Sequence, residues 1–296
     1  MGAEVISFIN LKGGVAKTTT TVGTAMLLAG EFGKKVLVVD LDPQTNCTIM
    51  LLGDARWDEI NRQGRTLATW FANAVRGEPK SDLAGTLQRN VSDVAELKEL
   101  HRLDLIPASL DLLEIQDELG QVGLGRFHAV SPTEILKRGL KTIIDFYDYV
   151  LIDCPPNLGI ITLNGLRISQ WYVIPAIPDR LSTYGIHPIV TRVRDFAEEI
   201  GECISCLGIV ATKYREQAHR VTLDNLDAKL ASGDWGEGLT RFATVFPEAK
   251  AIGDAAEFTG AATLRDKWGT RPPDPFTIFR NFAKELTDKI AELTEE

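Results

Sequence analysis

The sequence predicts a doubly wound α/β fold: a mostly parallel sheet with helices on both faces. Three observations predict it. Seven short apolar runs, many of them β-branched, fall at residues 4–10, 35–41, 103–107, 148–153, 171–176, 206–212 and 243–247. Most are separated by stretches long enough for a helix, and strands that alternate with helices build a parallel sheet covered on both sides. The stretches rich in glycine, lysine and aspartate follow directly on such runs, at the carboxyl ends of strands, where ligands of these sheets bind.

The first run, Val5–Ile9, leads into Lys12–Thr19, KGGVAKTT, and then into an expected helix from Lys17 to about Glu31. Val22, Ala25, Met26 and Ala29 give that helix one apolar face, and Gly33 supplies its stop. Strand, glycine-containing loop and helix in this order make a phosphate-binding loop. The backbone N–H groups of Gly13, Gly14, Val15, Ala16, Lys17, Thr18 and Thr19 turn inward, and the positive end of the helix faces the anion. Lys17 is expected to reach the β- and γ-phosphates of ATP, and the Thr18 hydroxyl to hold Mg²⁺. The strict pattern G-x-x-x-x-G-K-[ST] is not met, because Leu11 and Ala16 stand at its two glycine positions. A methyl group at Ala16 is expected to be tolerated only at negative φ. A second lysine, Lys12, stands at the front of the loop.

The second run, VLVVDLDPQTN, carries Asp40 and Asp42, two residues apart and so expected on the same side of the strand. Pro43 ends the strand. The fourth run, YVLIDCPPNLG, closes in Asp153, and an apolar strand ending in aspartate suits Mg²⁺ held through a water. Pro155 and Pro156 then stiffen the exit.

Length and composition bound the rest. At 296 residues the chain is read as one domain, 1–296, with an insertion or lid at 54–102 that has helical patches at 66–75 and 94–100. Residues 107–125 show helical spacing of leucine and isoleucine, a core stripe. A further helix is expected from Ser182 to Glu199. At 276–293, Phe279, Phe282, Leu286, Ile290 and Leu293 form an amphipathic stripe that docks onto the sheet. The closing glutamates, Glu292, Glu295 and Glu296, argue against an anionic membrane. No signal peptide is visible and no run reaches membrane-span length, so a cytoplasmic home is expected. Cys203 and Cys206 form a C-x-x-C without further matched ligands, and are read as small residues entering a buried strand. A net charge of −9 excludes a protein that coats nucleic acid with its whole surface, but not one with a local basic patch.

The order KGGVAKTT, DLDPQ, DCPP resembles the deviant Walker A box and following motifs of the ParA/MinD superfamily of P-loop ATPases, and most closely its partition and positioning members. The resemblance implies catalytic parts for Lys12, Lys17 and Asp42. Lys12 would cross a nucleotide-sandwiched homodimer to touch the partner's phosphates, and Asp42 would position the attacking water. Metal ligation would fall to Thr18, Asp40 and Asp153, with Asp40 in a supporting part. Lys213 and Pro247 would border the adenine. Arg192 and Arg194 on the helix after the fifth run, with Lys213, Arg215 and Arg220, would meet DNA phosphates non-specifically and place the protein on the nucleoid. A ParB-like or cargo-adaptor protein would stimulate an otherwise slow, Mg²⁺-dependent hydrolysis. The wording IPDRLSTYGI, residues 177–186, also resembles a branch that positions protein cargoes such as carboxysomes. A MinD-like membrane-cycling ATPase, a cluster-carrying relative and a small-molecule ligase or kinase remain as alternatives.

Overall fold

The computed structural model describes residues 2–76, 83–121, 131–236 and 238–295. Residues 122–125 of the expected core stripe, 77–82 of the expected insertion and the terminal Glu296 lie outside them.

The apolar runs become β1 (Glu4–Phe8), β2 (Val36–Asp40), β3 (Leu103–Ile106), β4 (Tyr149–Asp153), β5 (Trp171–Ala176), β6 (Ser205–Tyr214) and β7 (Arg241–Pro247). They form one sheet in the order β3-β2-β4-β1-β5-β6-β7, and every pairing between neighbours is parallel. Every residue of β2 and β4 is buried, as in a parallel sheet covered on both faces. Alternation still divides the side chains. Val5, Leu37, Val39 and Ile152 enter one core layer; Ile6, Phe8, Val38 and Leu151 enter the other.

On the first part of the chain, α1 (Lys17–Gly30) buries the expected Val22–Ala29 face and ends as Glu31 N–H bonds the Leu27 carbonyl. It is followed by α2 (Asn46–Leu52), α3 (Asp54–Arg62), α4 (Leu67–Val75) and α5 (Ala95–Leu100). Much of the stretch expected as an insertion or lid is packed into the sheet: Leu67, Trp70 and Phe71 of α4 are buried. Gln88 and Leu105 exchange backbone N–H···O bonds of 2.7 and 2.8 Å, so the chain covers the open edge of β3 with an antiparallel bridge.

Next come α6 (Leu112–Gln121), α7 (Ile135–Leu140) and α8 (Ile160–Leu166). The single helix expected over Ser182–Glu199 is two, α9 (Arg180–Tyr184) and α10 (Ile186–Ile200). The break falls at Gly185 because Pro188 has no N–H to return to the Tyr184 carbonyl. Beyond β6, α11 (Glu216–Ala231) precedes β7, and α12 (Lys250–Asp254), α13 (Leu264–Trp268) and α14 (Pro275–Glu295) complete the chain. Cys206 lies in β6, but Cys203 is exposed ahead of it, so only the second cysteine enters the sheet as expected.

The C-terminal helix α14 docks on α1 and β7. Phe276, Phe279, Phe282, Leu286 and Ile290 are buried, while Leu293 is 46% exposed, so the stripe ends about one turn earlier than its spacing suggested. Gly23 of α1 permits the contact: a Cβ there would lie 2.2 Å from a ring carbon of Phe279. Glu285 accepts from the backbone N–H groups of Ala243 (2.5 Å) and Thr244 (3.0 Å), occupying donors that the edge strand β7 would otherwise leave open. Among the described residues no helix is long and apolar enough to cross a membrane.

Candidate nucleotide site

The loop between β1 and α1 is pinned at both arms. Asn10 accepts from Lys12 N–H (2.8 Å) and donates to the Pro175 carbonyl (2.7 Å), tying the entry to β5. Thr212 donates its hydroxyl to the Val15 carbonyl (2.9 Å), tying the exit to β6. Between them Gly14 takes φ 72° and Ala16 takes φ 61°. The expectation of a negative φ at Ala16 is therefore corrected. A left-handed alanine costs about 1–2 kcal/mol, and such strain persists where the surroundings over-determine the backbone, as these two anchors do here.

Lys17 opens α1 and is only 6% exposed. Burial pulls its pKa down while the nearby Asp153 and Asp42 carboxylates pull it up, with a net lowering. The Thr18 hydroxyl donates to Asp153 Oδ2 at 2.7 Å. Burial pushes Asp153 up to about 7, against the opposing pull of Thr18 and Lys17. A cavity of about 440 Å³ opens over this floor, lined by Gly13, Lys17, Thr18, Asp42, Gln44 and Lys213 among others. A second cavity of about 200 Å³ adjoins it at Ala16, Thr19 and Lys213 and runs to Phe246, Pro247 and Ile252. The first is floored by the loop, Lys17, Thr18 and Asp42, the groups that phosphates need. The second has the apolar walls that a purine ring needs.

Asp40 and Asp42 share one side, as alternation predicts: Leu37, Val39 and Leu41 enter the opposite layer, and both carboxylates act on Cys47, but their surroundings differ. Asp40 is fully buried at the end of β2, beside its register partner Asp153. Its Oδ1 accepts from Asp42 N–H (3.0 Å), and its Oδ2 from the N–H (2.9 Å) and hydroxyl (2.6 Å) of Thr48. These contacts make Asp40 the anchor of the 42–48 loop and of the start of α2, not a group that faces the cavity; burial and the Asp153 charge hold its pKa well up. Asp42, past the strand end, lines the cavity and accepts from Gln44 N–H at 3.0 Å.

Lys12 stands at the mouth, folded back on its own chain. Its Nζ donates to Asp179 Oδ2 and Ser182 Oγ, each at 2.9 Å. Asp179 also caps α9, accepting from Ser182 N–H at 2.7 Å. Burial acts to raise the Asp179 pKa, but the bonds from Ser182 and Lys12 outweigh it and hold the carboxyl below its ordinary value. Sequence reasoning passed over Asp179, Ser182, Thr48 and Asn10. The aspartate three residues before Ser182 is a helix-capping signal that the sequence did carry.

The basic residues expected on DNA fall into two groups. Lys213, Arg215 and Arg220 lie at the exit of β6 and on α11, on the phosphate-loop side; Arg215 is 3.0 Å from Glu248 and Arg220 4.0 Å from Glu216. Arg192 and Arg194 are exposed on α10, and Arg194 acts electrostatically on Tyr172 at the start of β5, toward the opposite end of the sheet. The structure does not bring the two groups together.

A family model described as "AAA domain" matches residues 3–206. The Bacillus subtilis sporulation initiation inhibitor protein Soj is 30% identical over 215 residues, 71% of this chain and 72% of that protein. The chromosome partitioning protein ParA of Caulobacter vibrioides is 29% identical over 89% of this chain and 87% of that one. Two uncharacterised Mycobacterium tuberculosis proteins are 30% identical over 72% of this chain, and the match spans 58% of their own length. Among solved structures, cobyrinic acid a,c-diamide synthase of Mycobacterium smegmatis, with an ATP analogue and magnesium bound, superposes with a TM-score of 0.67 at 26% identity, covering 95% of this chain and 93% of that one.

Proposed function

Since the chain belongs to the AAA-domain family and, within it, to the ParA and Soj partition ATPases of the ParA/MinD superfamily, we propose that it is an ATPase that forms an ATP-sandwich dimer, binds DNA without sequence preference and positions a cargo through partner-stimulated hydrolysis. The observation that carries this reading is the division of labour between two lysines five residues apart. Lys17 is buried against Asp42 and Asp153, whereas Lys12 is half-exposed at the mouth, within a flexible side chain's length of open solvent.

ATP would lay its phosphates in the larger cavity, against the N–H groups of Gly13–Thr19 and the start of α1. Its base would enter the apolar cavity beside Pro247, with Lys213 between the two. Mg²⁺ fits the residues present. No cluster of three or more His, Cys, Asp or Glu side chains among the described residues could hold a metal by itself, and Mg²⁺ bound by one or two protein oxygens plus phosphates is the usual arrangement. The Thr18 hydroxyl and Asp153 supply those oxygens, and a divalent cation would offset the burial that raises the Asp153 pKa. The ion would neutralise charge developing on the transferred phosphate. With both Asp40 oxygens engaged by Thr48 and Asp42, Asp40 is assigned to holding the loop, and Asp42 to orienting the water. Lys12 must leave Asp179 before it can reach a partner's nucleotide.

Docking of the α14 apolar face onto the sheet favours a DNA matrix over a membrane, since Phe279, Phe282 and Leu286 are already packed. A small-molecule ligase is the second reading, favoured by the full-length likeness to cobyrinic acid a,c-diamide synthase. One experiment separates them: binding of a random-sequence duplex with ATP, with ADP and without nucleotide, for the wild type, Lys17→Gln and Arg194→Glu. Retention with ATP only, lost in both variants, is the expected result. No binding in any state at low salt overturns DNA as the matrix and moves the ligase reading ahead.

A further inference from the structure

A cavity of about 250 Å³ lies at the far end of the sheet from the phosphate loop. Its basic wall comes from three separate stretches of chain. Lys35 immediately precedes β2, Arg102 immediately precedes β3, His101 sits beside Arg102, and Arg89 lies on the chain that covers the β3 edge. Phe146 and Tyr147, just ahead of β4, give it aromatic walls, and the buried Leu87 and Ile143 give it an apolar floor.

Three features mark this cavity as more than a surface irregularity. The first is charge. In a chain of net charge −9, three permanent cations and a histidine surround one concavity. Lys35, Arg89 and His101 have no ion-pair partner among the described residues. Like charges around low-dielectric walls focus a field that draws in an anion. The second is the state of the nearest carboxylate. Asp104 lines the cavity but is engaged on both oxygens, by the Tyr147 hydroxyl (2.7 Å) and by Asn90 N–H (2.8 Å). Asp148, which is not among the lining residues, accepts from the Lys35 backbone N–H at 2.7 Å. The third is the ring of Phe146, 68% exposed at a rim of arginine and lysine. A stacking ring beside cations is the pairing that holds a base and its phosphate together.

We propose that this cavity is a second ligand site, separate from the phosphate loop, for a single small phosphate ester that carries a flat ring, of the class of a nucleoside monophosphate. Arg89, Lys35 and Arg102 take the phosphate, and Phe146 stacks on the ring. The volume sets the size: drug-sized pockets begin at about 300 Å³, so the cavity takes one base and one phosphate, not a run of polymer.

The test is calorimetric titration of AMP, ribose 5-phosphate and inorganic phosphate, at low salt, into full-length Lys17→Gln protein, which lacks the lysine of the phosphate loop. AMP is expected to bind, and a second change, Arg89→Glu, to weaken it by about tenfold or more, the scale of a lost charged hydrogen bond. Phe146→Ala is expected to weaken AMP several-fold (stacking is worth about 1–3 kcal/mol per base) and to leave ribose 5-phosphate unchanged. Lys35→Glu serves as the second charge variant, and unaltered melting, with intact ATP binding when the same changes are made in protein that retains Lys17, shows that each variant folds. Absence of AMP binding, or binding indifferent to Arg89→Glu and Lys35→Glu, overturns the site. Phosphate binding as tightly as AMP, with no effect of Phe146→Ala, overturns the nucleotide assignment and leaves a simple anion site. Random duplex DNA that binds the Lys17→Gln protein and is released by Arg89→Glu overturns the small-ligand assignment.

Discussion

At the carboxyl ends of β1, β2 and β4, Lys17, Asp40 and Asp153 are almost wholly buried, and burial is the largest influence on the proton affinity of each. At the amino ends of β2 and β3, Lys35, Arg89 and His101 remain exposed around an aromatic rim. The difference separates two ways of holding an anion. At the first end the polar groups are taken out of water before any ligand arrives and are fixed by Thr18, Thr48 and Asp42, so the reorganisation is largely complete in the free protein. At the second end long, solvated side chains gather charge around a cavity and must give up rotamer freedom when a ligand binds. The first arrangement suits chemistry and the second suits reversible capture.

The comparison breaks most visibly at Lys17. Lys17→Gln is expected to lower ATP turnover by about 10²–10³-fold, the scale of one lost preorganised electrostatic contact, while far-ultraviolet dichroism and the distant cavity stay unchanged. A variant that also lost the far cavity's ligand would show that the two ends are coupled.

Proton binding sharpens the same contrast. The folded Asp153 carboxyl, raised to about 7, binds its proton more tightly than in the unfolded chain. Its contribution to stability is therefore fully present below about 4, the ordinary carboxylate range, and is lost as pH rises toward 7. Free protein is expected to melt at progressively lower temperature over that window, and Asp153→Asn to flatten the slope. Mg²⁺-nucleotide binding runs the opposite way, because a metal needs the carboxylate. Affinity is expected to fall about tenfold per pH unit below 7 beyond whatever Asp153→Asn shows, since the variant retains the nucleotide's own titration.

The two ends also differ in how far the sequence disclosed them. The phosphate loop was legible because its donors are contiguous: Lys12 to Thr19 are neighbours in the chain, and the strand and helix around them obey simple periodicities. Asp42 and Asp153 were legible because each closes an apolar run. Asp40 was legible only in part: strand alternation places it on the side of Asp42, but the Thr48 hydroxyl that engages it comes from the start of the next helix, and nothing in strand spacing signals that contact. The break at Gly185 could have been read from Pro188. The far cavity was not legible, since Lys35, Arg89, Arg102 and Phe146 come from four stretches that only the strand order β3-β2-β4 brings together.

Lys12 tests the boundary between a fixed and a movable group inside the first end. The pair with Asp179 is 40% and 32% exposed at its side chains, and pairs of that exposure contribute about 0–1 kcal/mol. Asp179→Asn keeps an acceptor for Ser182 N–H and so keeps the cap of α9 while removing the charge. It is expected to leave the melting temperature nearly unchanged and to shift ATP-dependent dimerisation, read by sedimentation, by at most about fivefold toward the dimer. Lys12→Ala should instead abolish partner-stimulated turnover; full turnover and dimerisation in that variant would remove the trans-acting part of the lysine.

The smallest expected effect is at Ala16, where the loop departs from the strict glycine pattern. Its methyl sits at φ 61°, and a glycine there escapes the clash between Cβ and the following carbonyl oxygen. The gain is partly offset, because glycine also gives the unfolded chain more freedom. Ala16→Gly is accordingly expected to raise stability by only about 0.5–1 kcal/mol, and to change ATP affinity less than about threefold, since Asn10 and Thr212 already hold both arms of the loop. Denaturant melts and nucleotide titration measure the two effects separately. If stability rises while affinity is unchanged, the loop's shape is set by its anchors. If affinity rises by tenfold or more, the alanine itself is what keeps the free loop from its nucleotide-bound form, and this end is less preorganised than its buried lysine and carboxylates indicate.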